Sequence, residues 1–424
     1  MDLAYNLWPI NRSILGEGNR NTFELIQKYV GKEFDFLKIN SGTKVFDWTI
    51  PDEWNVTDAF IIDPNGKRIL DFKKNNLHLV GYSIPVDSEM SLEELSGHLH
   101  SLPDQPNVIP YVTNYYGKSW GFCISHNEKL NLVNGKYRVK VDSSFKPGQL
   151  EIAEYFIQGS SKKEIFLSTY ICHPSMANNE LSGPLVCASI AKKLFENSKS
   201  NTLKYSVRIA FMPETIGSIA YINSNLEKMK ENIICGYVVT CVGDQRAWSF
   251  LPSRMANTFA DRKALSLLKT QYPEFKTYTW LDRGSDERQY CSPGIDLPFA
   301  SVMRSKYATY PEYHTSSDKF GDVVTEEGMQ ESIDFYLTLL GEIQKCSFPK
   351  AIYLCEPNMG KRGLYPLNSI KNAYQNSKTL MNILSFCDGK TEESEISRLT
   401  GLSHEQVTLN IKILYENKLI YFEK

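Results

Sequence analysis

The sequence predicts an α/β fold: a mostly parallel sheet with helices on both faces, interrupted by a β-rich unit and followed by a small helical unit. Two observations in the middle of the chain carry this reading. Short apolar runs recur, and between them lie segments whose apolar residues repeat with the helical period. Strand–helix alternation of that kind sets successive strands side by side in parallel and covers both faces with helices. The length of 424 residues allows two or three domains, and 42% hydrophobic with 23% charged residues is the balance of an ordinary globular protein.

Taken in order, "NRNTFELIQKYVGKEF" is amphipathic and reads as an outer helix of the α/β domain. From Val45 to Leu132 the texture changes to aromatics, short alternating runs and turn signals, as in "FIIDPNGKRILDF" and "YYGKSWGFCIS", which predicts an inserted β-rich domain. "EIFLSTYIC" (Glu164–Cys172) is a buried strand and "GPLVCASIAKKLF" (Gly183–Phe195) a helix. "YSVRIAFM" (Tyr205–Met212), "CGYVVTCV" (Cys235–Val242) and "LPFASVM" (Leu297–Met303) are further strands, with the helix "SIAYINSNLEKMK" between the first two. Past Cys346 a linker with Pro and Gly leads to "KNAYQNSKTLMNILSF", then "TEESEISRLTG", which opens on a Thr able to cap a helix, then "SHEQVTLNIKILYENK" and a strand-like "LIYFEK". Helix, turn, helix, strand is a winged-helix arrangement. The expected division is 1–44 with 133–345 as the α/β domain, 45–132 as the insertion, and 346–424 as linker and winged helix.

A net charge of −2 gives no ground for nucleic acid or an anionic membrane as a partner of the whole chain. The third helix of the winged helix, Ser403–Lys418, has only Lys412 and Lys418 as bases against Glu405 and Glu416. It is therefore expected to bind protein or to dimerise rather than to read DNA. No apolar run reaches the ~18 residues of a membrane span, and the first residues show no signal core. Nine cysteines at scattered spacings, several within apolar runs, fit a reduced, cytoplasmic protein.

Chemistry in an open α/β sheet gathers at the carboxyl ends of its strands. His173 follows the first strand, Glu214 the second and Asp244 the third, while His314 lies in a Tyr-rich and acid-rich loop beyond the fourth. Singly, each has an ordinary reading as a loop His, a helix-terminal carboxylate or a turn acid. Together on one rim, nitrogen and carboxylate donors at this density suit zinc.

The string "GSDERQYCSPGIDLP…PEYHTSSD" resembles the C-terminal signature of the zinc aminopeptidases with a co-catalytic metal centre, a group that includes the glutaminyl cyclases. Ser285-Asp286, Gly294-Ile295 and His314 carry the match. "CHPSMANNELSG" resembles the family's first metal segment, and "FMPETIGS" its Glu-Glu-x-Gly segment, with Glu214 at the general base. The whole set, with insertion and winged helix, is similar to a bacterial group of aminopeptidase-like proteins associated with polysaccharide biosynthesis loci. Three positions depart from the pattern: Asn179 stands at the metal-bridging Asp, Thr215 at the second Glu, and Thr240 at a ligand Asp. Either Glu180 and Asp244 take over, or one metal binds, or the site is altered.

The resemblance implies an aminopeptidase-like hydrolase of an amide or peptide bond. Its metal is zinc, held by His173, Glu180, Asp244 and His314, with Glu214 as base. Asp286, Glu287, Arg288 and Tyr313 lie on the side of a small peptide-like substrate, the carboxylates able to hold an α-ammonium. Tyr307 and Tyr310 wall the pocket or simply pack. The alternative is a scaffold or regulator that kept the fold, changed the site and binds a partner through the winged helix. A related amide or acyl chemistry on a modified sugar is a third reading. Glu180 is expected as a ligand, against a plain helix-capping role. The two imidazoles of His173 and His314 are expected within about 8 Å, the reach of Zn–N bonds of ~2.1 Å on one ion.

Overall fold

The structure is a computed structural model of the chain and describes residues 1–115, 117–198, 202–365 and 375–422. At its centre lies an eight-stranded sheet in the order Asp35–Asn40, Gln149–Ile157, Leu203–Met212, Gly159–Tyr170, Ile233–Val238, Phe299–Met303, Ser249–Leu251, Lys276–Thr277. The four middle strands run parallel. Antiparallel pairs flank them on either side.

The middle strands are apolar over their inner stretches, such as Ile165–Leu167 and Ile209–Met212, because both faces are covered there. Along Gly159–Tyr170, Ile165 and Leu167 enter one core and Phe166 the other. Along Leu203–Met212, Val207, Ile209 and Phe211 face the first core, Ala210 and Met212 the second. Helices Glu17–Val30, Ser182–Ser198, Phe259–Gln271 and Glu326–Gln344 supply the first core; Ile216–Asn232 supplies the second. The expected elements therefore form, with strand and helix ends shifted by a few residues.

The insertion forms its own four-stranded antiparallel sheet: Arg68–Ile69, Glu53–Ile62, Lys136–Lys146 and Val86–Ser91. Its longest strand, Lys136–Lys146, runs past the expected edge at Leu132. The alternation in "KYRVKVDSSF" fits a half-buried strand in either sheet. Pairing with Glu53–Ile62 decides the matter, because it buries Tyr137, Val139 and Val141 beside Ala59 and Ile61.

At the C-terminal side, helices Gln375–Leu384, Glu393–Thr400 and His404–Glu416 precede strand Ile420–Phe422, which pairs antiparallel with Pro349–Ala351. The unit has its own core, including Ile383, Ile396, Val407 and Leu414. The start of the expected first helix, at positions 371–374, lies outside the described residues. Thr391 does not cap the second helix: the N-cap is Glu392, and the Thr391 hydroxyl donates to Asp388 instead. Glu392 is held by a two-pronged contact from Arg262 of the α/β domain, at 3.0 and 2.5 Å. Among the described residues, no helix is long and apolar enough to cross a membrane.

At Gly236 the ring of its cross-strand partner Phe299 fills the space a side chain would take. A Cβ there would meet the Phe299 ring at 2.3 Å, and Phe299 is itself stacked on Tyr290 with centroids 4.0 Å apart. Gly236→Ala should therefore lower stability by about 1–3 kcal/mol through overpacking. Gly341→Ala, in helix Glu326–Gln344 with nothing within 4 Å of the added atom, should raise it by about 0.5–1 kcal/mol. Urea midpoints of the two variants check both; equal shifts would contradict the packing described.

Candidate functional site

Three neighbouring parallel strands end on one rim and deliver His173, Glu214 and the 240–244 segment, while the loop beyond Phe299–Met303 brings His314. His173 and His314 have ring centres 5.7 Å apart. Glu214 Oε2 lies 4.0 Å from His173 Nε2. Tyr111 places its ring edge-on to both histidines, at 5.2 and 5.1 Å, and Tyr313 stacks on His314 at 3.9 Å.

The orientation of His173 follows from its neighbours. Nδ1 lies 2.9 Å from Glu180 Oε2. A carboxylate can only accept, so Nδ1 carries a proton and Nε2 is left facing Glu214. Glu180 is completely buried, on a π-helical turn, Ala177–Leu181. Its other oxygen accepts from Arg12 Nε at 3.2 Å. Arg12, also buried, donates further to the carbonyls of His173 at 3.0 Å and Leu7 at 2.7 Å.

Cys172, His173 and Glu180 each offer one donor atom within 4.8 Å of the others, the single such group among the described residues. Two features weigh against a cation in that spot: the Arg12 guanidinium already neutralises Glu180, and burial, then the charges of Glu180 and Glu214, hold the Cys172 thiol protonated. Glu180 thus has both oxygens engaged. It is neither a free ligand nor a simple helix cap.

Asp244 is still further from the expected role. Its Oδ1 accepts from Arg246 N–H and the Ser305 hydroxyl, its Oδ2 from Asn178 Nδ2 and Ser305 N–H, all at 2.9 Å. These four bonds fill both oxygens and brace two loops. Asp318 does the same for the π-helical turn, accepting from the N–H groups of Asn178 at 2.7 Å and Asn179 at 2.9 Å. Burial raises Asp318 to about 6.

Two of the three departing positions, Asn179 and Thr240, meet the neutral Tyr170 hydroxyl. The Tyr170 hydroxyl donates to the Asn179 carbonyl at 2.7 Å and lies 2.7 Å from Thr240 Oγ1. Asn179 Nδ2 is buried without a partner. Thr215 has a φ of 65°, rare for a β-branched residue. It is held there by Asp286 Oδ1, which accepts its N–H at 2.7 Å, and by Arg288 Nη2, which donates to its hydroxyl at 2.8 Å. This strained turn sets Glu214, whose Oε1 accepts from the Ser285 hydroxyl at 2.8 Å.

Asp286 and Glu287 are both completely buried. Each anchors backbone with one oxygen: Asp286 at Thr215, Glu287 at the N–H groups of Gly284 and Ser285. Asp286 Oδ2 and Glu287 Oε2 have no partner. Beside Glu214 this makes a crowded acidic hollow. Burial, then the Glu214 charge, pushes Asp286 up to about 7, and burial raises Glu214 itself. Tyr307 donates to Glu287 at 2.8 Å and Tyr310 to Asp318 at 3.3 Å, so both pack and hydrogen-bond behind the rim while Tyr313 reaches His314.

The histidines differ. Burial, then the neighbouring His173, pushes His314 down to about 3. For His173 burial acts downward, but the bond to Glu180 and the charges of Glu180 and Glu214 outweigh it and the net shift is upward.

Arg12, Tyr111 and Tyr170 were not singled out by the sequence reading. Arg12 reaches Glu180 across 168 positions, which no local pattern encodes. Tyr111 belongs to the insertion, whose backbone N–H donates to the His314 carbonyl at 2.8 Å.

Two measurements follow from this geometry. Glu180→Ala leaves the Arg12 guanidinium buried without its counter-charge and should cost about 3–5 kcal/mol in urea unfolding; a loss under about 0.5 kcal/mol would contradict the pairing. Second, His314 should stay neutral on lowering the pH from 7 to 4, with its imidazole NMR shifts flat. Its folded pKa is depressed below the unfolded ~6.5, so its contribution to stability is present above that value and is lost as pH falls towards 3. A midpoint near 6.5 would show an exposed ring instead.

Comparison with known proteins agrees with the fold. Residues 1–345 match the family described as a domain of unknown function, DUF4910, and residues 347–421 match a winged helix-turn-helix family. A Clostridium acetobutylicum protein described as a polysaccharide biosynthesis protein with an aminopeptidase-like domain is 39% identical over 425 residues, covering 99% of this chain and 95% of its own. The crystal structure of a C. acetobutylicum protein described by its resemblance to peptidases superposes with a TM-score of 0.80 at 37% identity, over 99% of this chain and 95% of that one. A zinc aminopeptidase from Bacillus subtilis shares the fold, with a TM-score of 0.56 at 13% identity over 80% of this chain and 94% of its own. The chain belongs to the DUF4910 family of aminopeptidase-like proteins, with a winged helix at its C-terminal side.

Proposed function

We propose that this protein is a hydrolase of an amide or peptide bond, of aminopeptidase type, that works with a single zinc ion at His173 and His314 and with Glu214 as general base. The observation that carries the reading is the facing pair of imidazoles with the Glu214 carboxylate beside His173 Nε2. The donor set fits one ion. His173 has Nε2 free because Nδ1 is held by Glu180, and His314 is neutral and able to ligate. It does not fit the pair of ions of a co-catalytic centre, because Asn179, Thr215 and Thr240 offer no negative charge and Tyr170 already bonds two of them. Two imidazoles are one short of the three protein ligands usual in catalytic zinc sites, so two positions would be left for water and substrate.

When bound, zinc supplies Lewis acidity, polarising the scissile carbonyl and making water more acidic. Glu214 takes the proton of the attacking water and hands it to the leaving amine, and its raised pKa suits that exchange. Ser285 holds one Glu214 oxygen and leaves the other facing the histidines. Asp286 and Glu287, each with one buried unpartnered oxygen, add negative charge beside Glu214 that would favour a substrate ammonium, with Arg288 and Tyr313 close by. The link to polysaccharide biosynthesis rests on the name of the relative.

A second reading has one observation in its favour: three acid positions of the resembling family are neutral here. On that reading the chain is a scaffold that contacts a protein partner through the winged helix, where Leu409 and Tyr415 are exposed on the third helix. Glu214→Gln separates the two. With zinc added and peptide p-nitroanilides as probes, the hydrolase reading expects unchanged zinc content and a fall in turnover on the order of 10²-fold or more. Zinc lost with the substitution would make Glu214 a ligand, and no turnover by the parent protein on any such probe would favour the scaffold.

A further inference from the structure

Beside the histidine site, not over it, lies a groove of about 680 Å³. Neither histidine nor Glu214 lines it. It is bounded by the N-terminal segment, the insertion and the loop after His314, and it touches the site only through Ser175 and Ser316, each two positions past a histidine. Its volume lies within the ~300–1,000 Å³ usual for ligand sites, enough for two or three sugar rings.

The lining combines three kinds of side chain. Tyr5, Trp8, Phe72 and Phe320 give aromatic surface; Trp8 and Phe320 meet edge to face at 5.5 Å, and Tyr5 is 59% exposed. Asn11, Asn21 and Asn55 add amides. Those of Asn11 and Asn21 make no hydrogen bond within the described residues, so they remain open to a ligand. Lys73, Lys74 and Lys319 stand against one acid, Glu17. Lys73 pairs with Asp58 at 3.4 Å, whereas Lys74 and Lys319 have no ion-pair partner among the described residues.

Each kind answers one part of an acidic saccharide. A pyranose ring has an apolar face of C–H groups that lies flat on an aromatic ring. Its hydroxyl and N-acetyl groups exchange donor and acceptor bonds with side-chain amides. A uronate carboxylate pairs with a lysine ammonium. An extended peptide would instead call for an open strand edge or deep side-chain pockets. We propose that this groove binds an acidic glycan segment, and so holds a glycan-linked substrate beside the histidine site. The groove's chemistry is independent of the hydrolase reading; only the placement of a substrate depends on it.

The test uses the full chain, stripped of metal with EDTA, so that binding is read without turnover. The probe is a tetrasaccharide of alternating glucuronate and N-acetylglucosamine, followed by titration calorimetry and ligand-observed NMR. The expected result is saturable one-site binding that weakens as salt rises. Lys74→Glu with Lys319→Glu should weaken it at least 10-fold. Tyr5→Ala should weaken it several-fold. Both variants alter exposed side chains and should stay folded. Chitotetraose, which is neutral, should bind at least 10-fold more weakly than the acidic probe. The proposal is overturned by the absence of saturable binding, by equal affinity for chitotetraose or for tetraglutamate, or by affinity unchanged in the lysine variant. Each of these outcomes leaves the Glu214→Gln experiment to decide the hydrolase reading separately.

Discussion

A buried guanidinium with one carboxylate to neutralise it is the constraint on which the site depends. Arg12, Glu180 and His173 form a chain in which each group fixes the next. Charge removed from water this completely is tolerable only when paired and hydrogen-bonded. The pairing draws together the N-terminal segment, the end of strand Gly159–Tyr170 and the π-helical turn. It also determines which nitrogen of His173 faces the cleft. The histidine is therefore oriented by the packing of the domain, before any ligand arrives.

The acid oxygens of the rim that lack partners lie to one side. Glu214, Asp286 and Glu287 cluster on the Ile216–Asn232 side, while the positions around Tyr170 are neutral. A centre with two cations needs a carboxylate between them, and the structure has the Asn179 amide and a phenol hydroxyl at that place. Asp286 and Glu287 are held by backbone N–H groups, and Asp286 secures the positive-φ turn at Thr215 that carries Glu214. Strain of this sort, of order 1–3 kcal/mol, persists only where surrounding bonds impose it. Here those bonds come from Asp286, one of the acids beside Glu214, and from Arg288. The insertion completes the enclosure: Tyr111 covers both imidazoles, and the groove on its other side opens between the insertion and the N-terminal segment.

Much of this could be read in the sequence, for definite reasons. A stretch buried on both faces must be largely apolar, so Glu164–Cys172 and Tyr205–Met212 stood out, and parallel strands share a rim, so His173 and Glu214 could be placed together. The winged helix showed through its element order. Glu180 and Asp244 were harder to place. Residue type shows that a carboxylate is present; it does not show whether the oxygens are already bonded. For Glu180 the answer lay with Arg12, and for Asp244 with Asn178, Arg246 and Ser305. The far edge of the insertion was missed because an alternating strand such as Lys136–Lys146 carries no mark of which sheet it joins.

The claim at the centre of this account is that the rim holds one ion through two imidazoles and not a pair of ions bridged by a carboxylate. X-ray absorption at the zinc edge, on protein loaded with zinc and freed of excess, tests it most directly. The account predicts about one zinc per chain with two imidazole shells at ~2.0–2.1 Å and no metal neighbour. A second metal at ~3.5–4 Å, a shell without imidazole, or a protein that retains no zinc would contradict it.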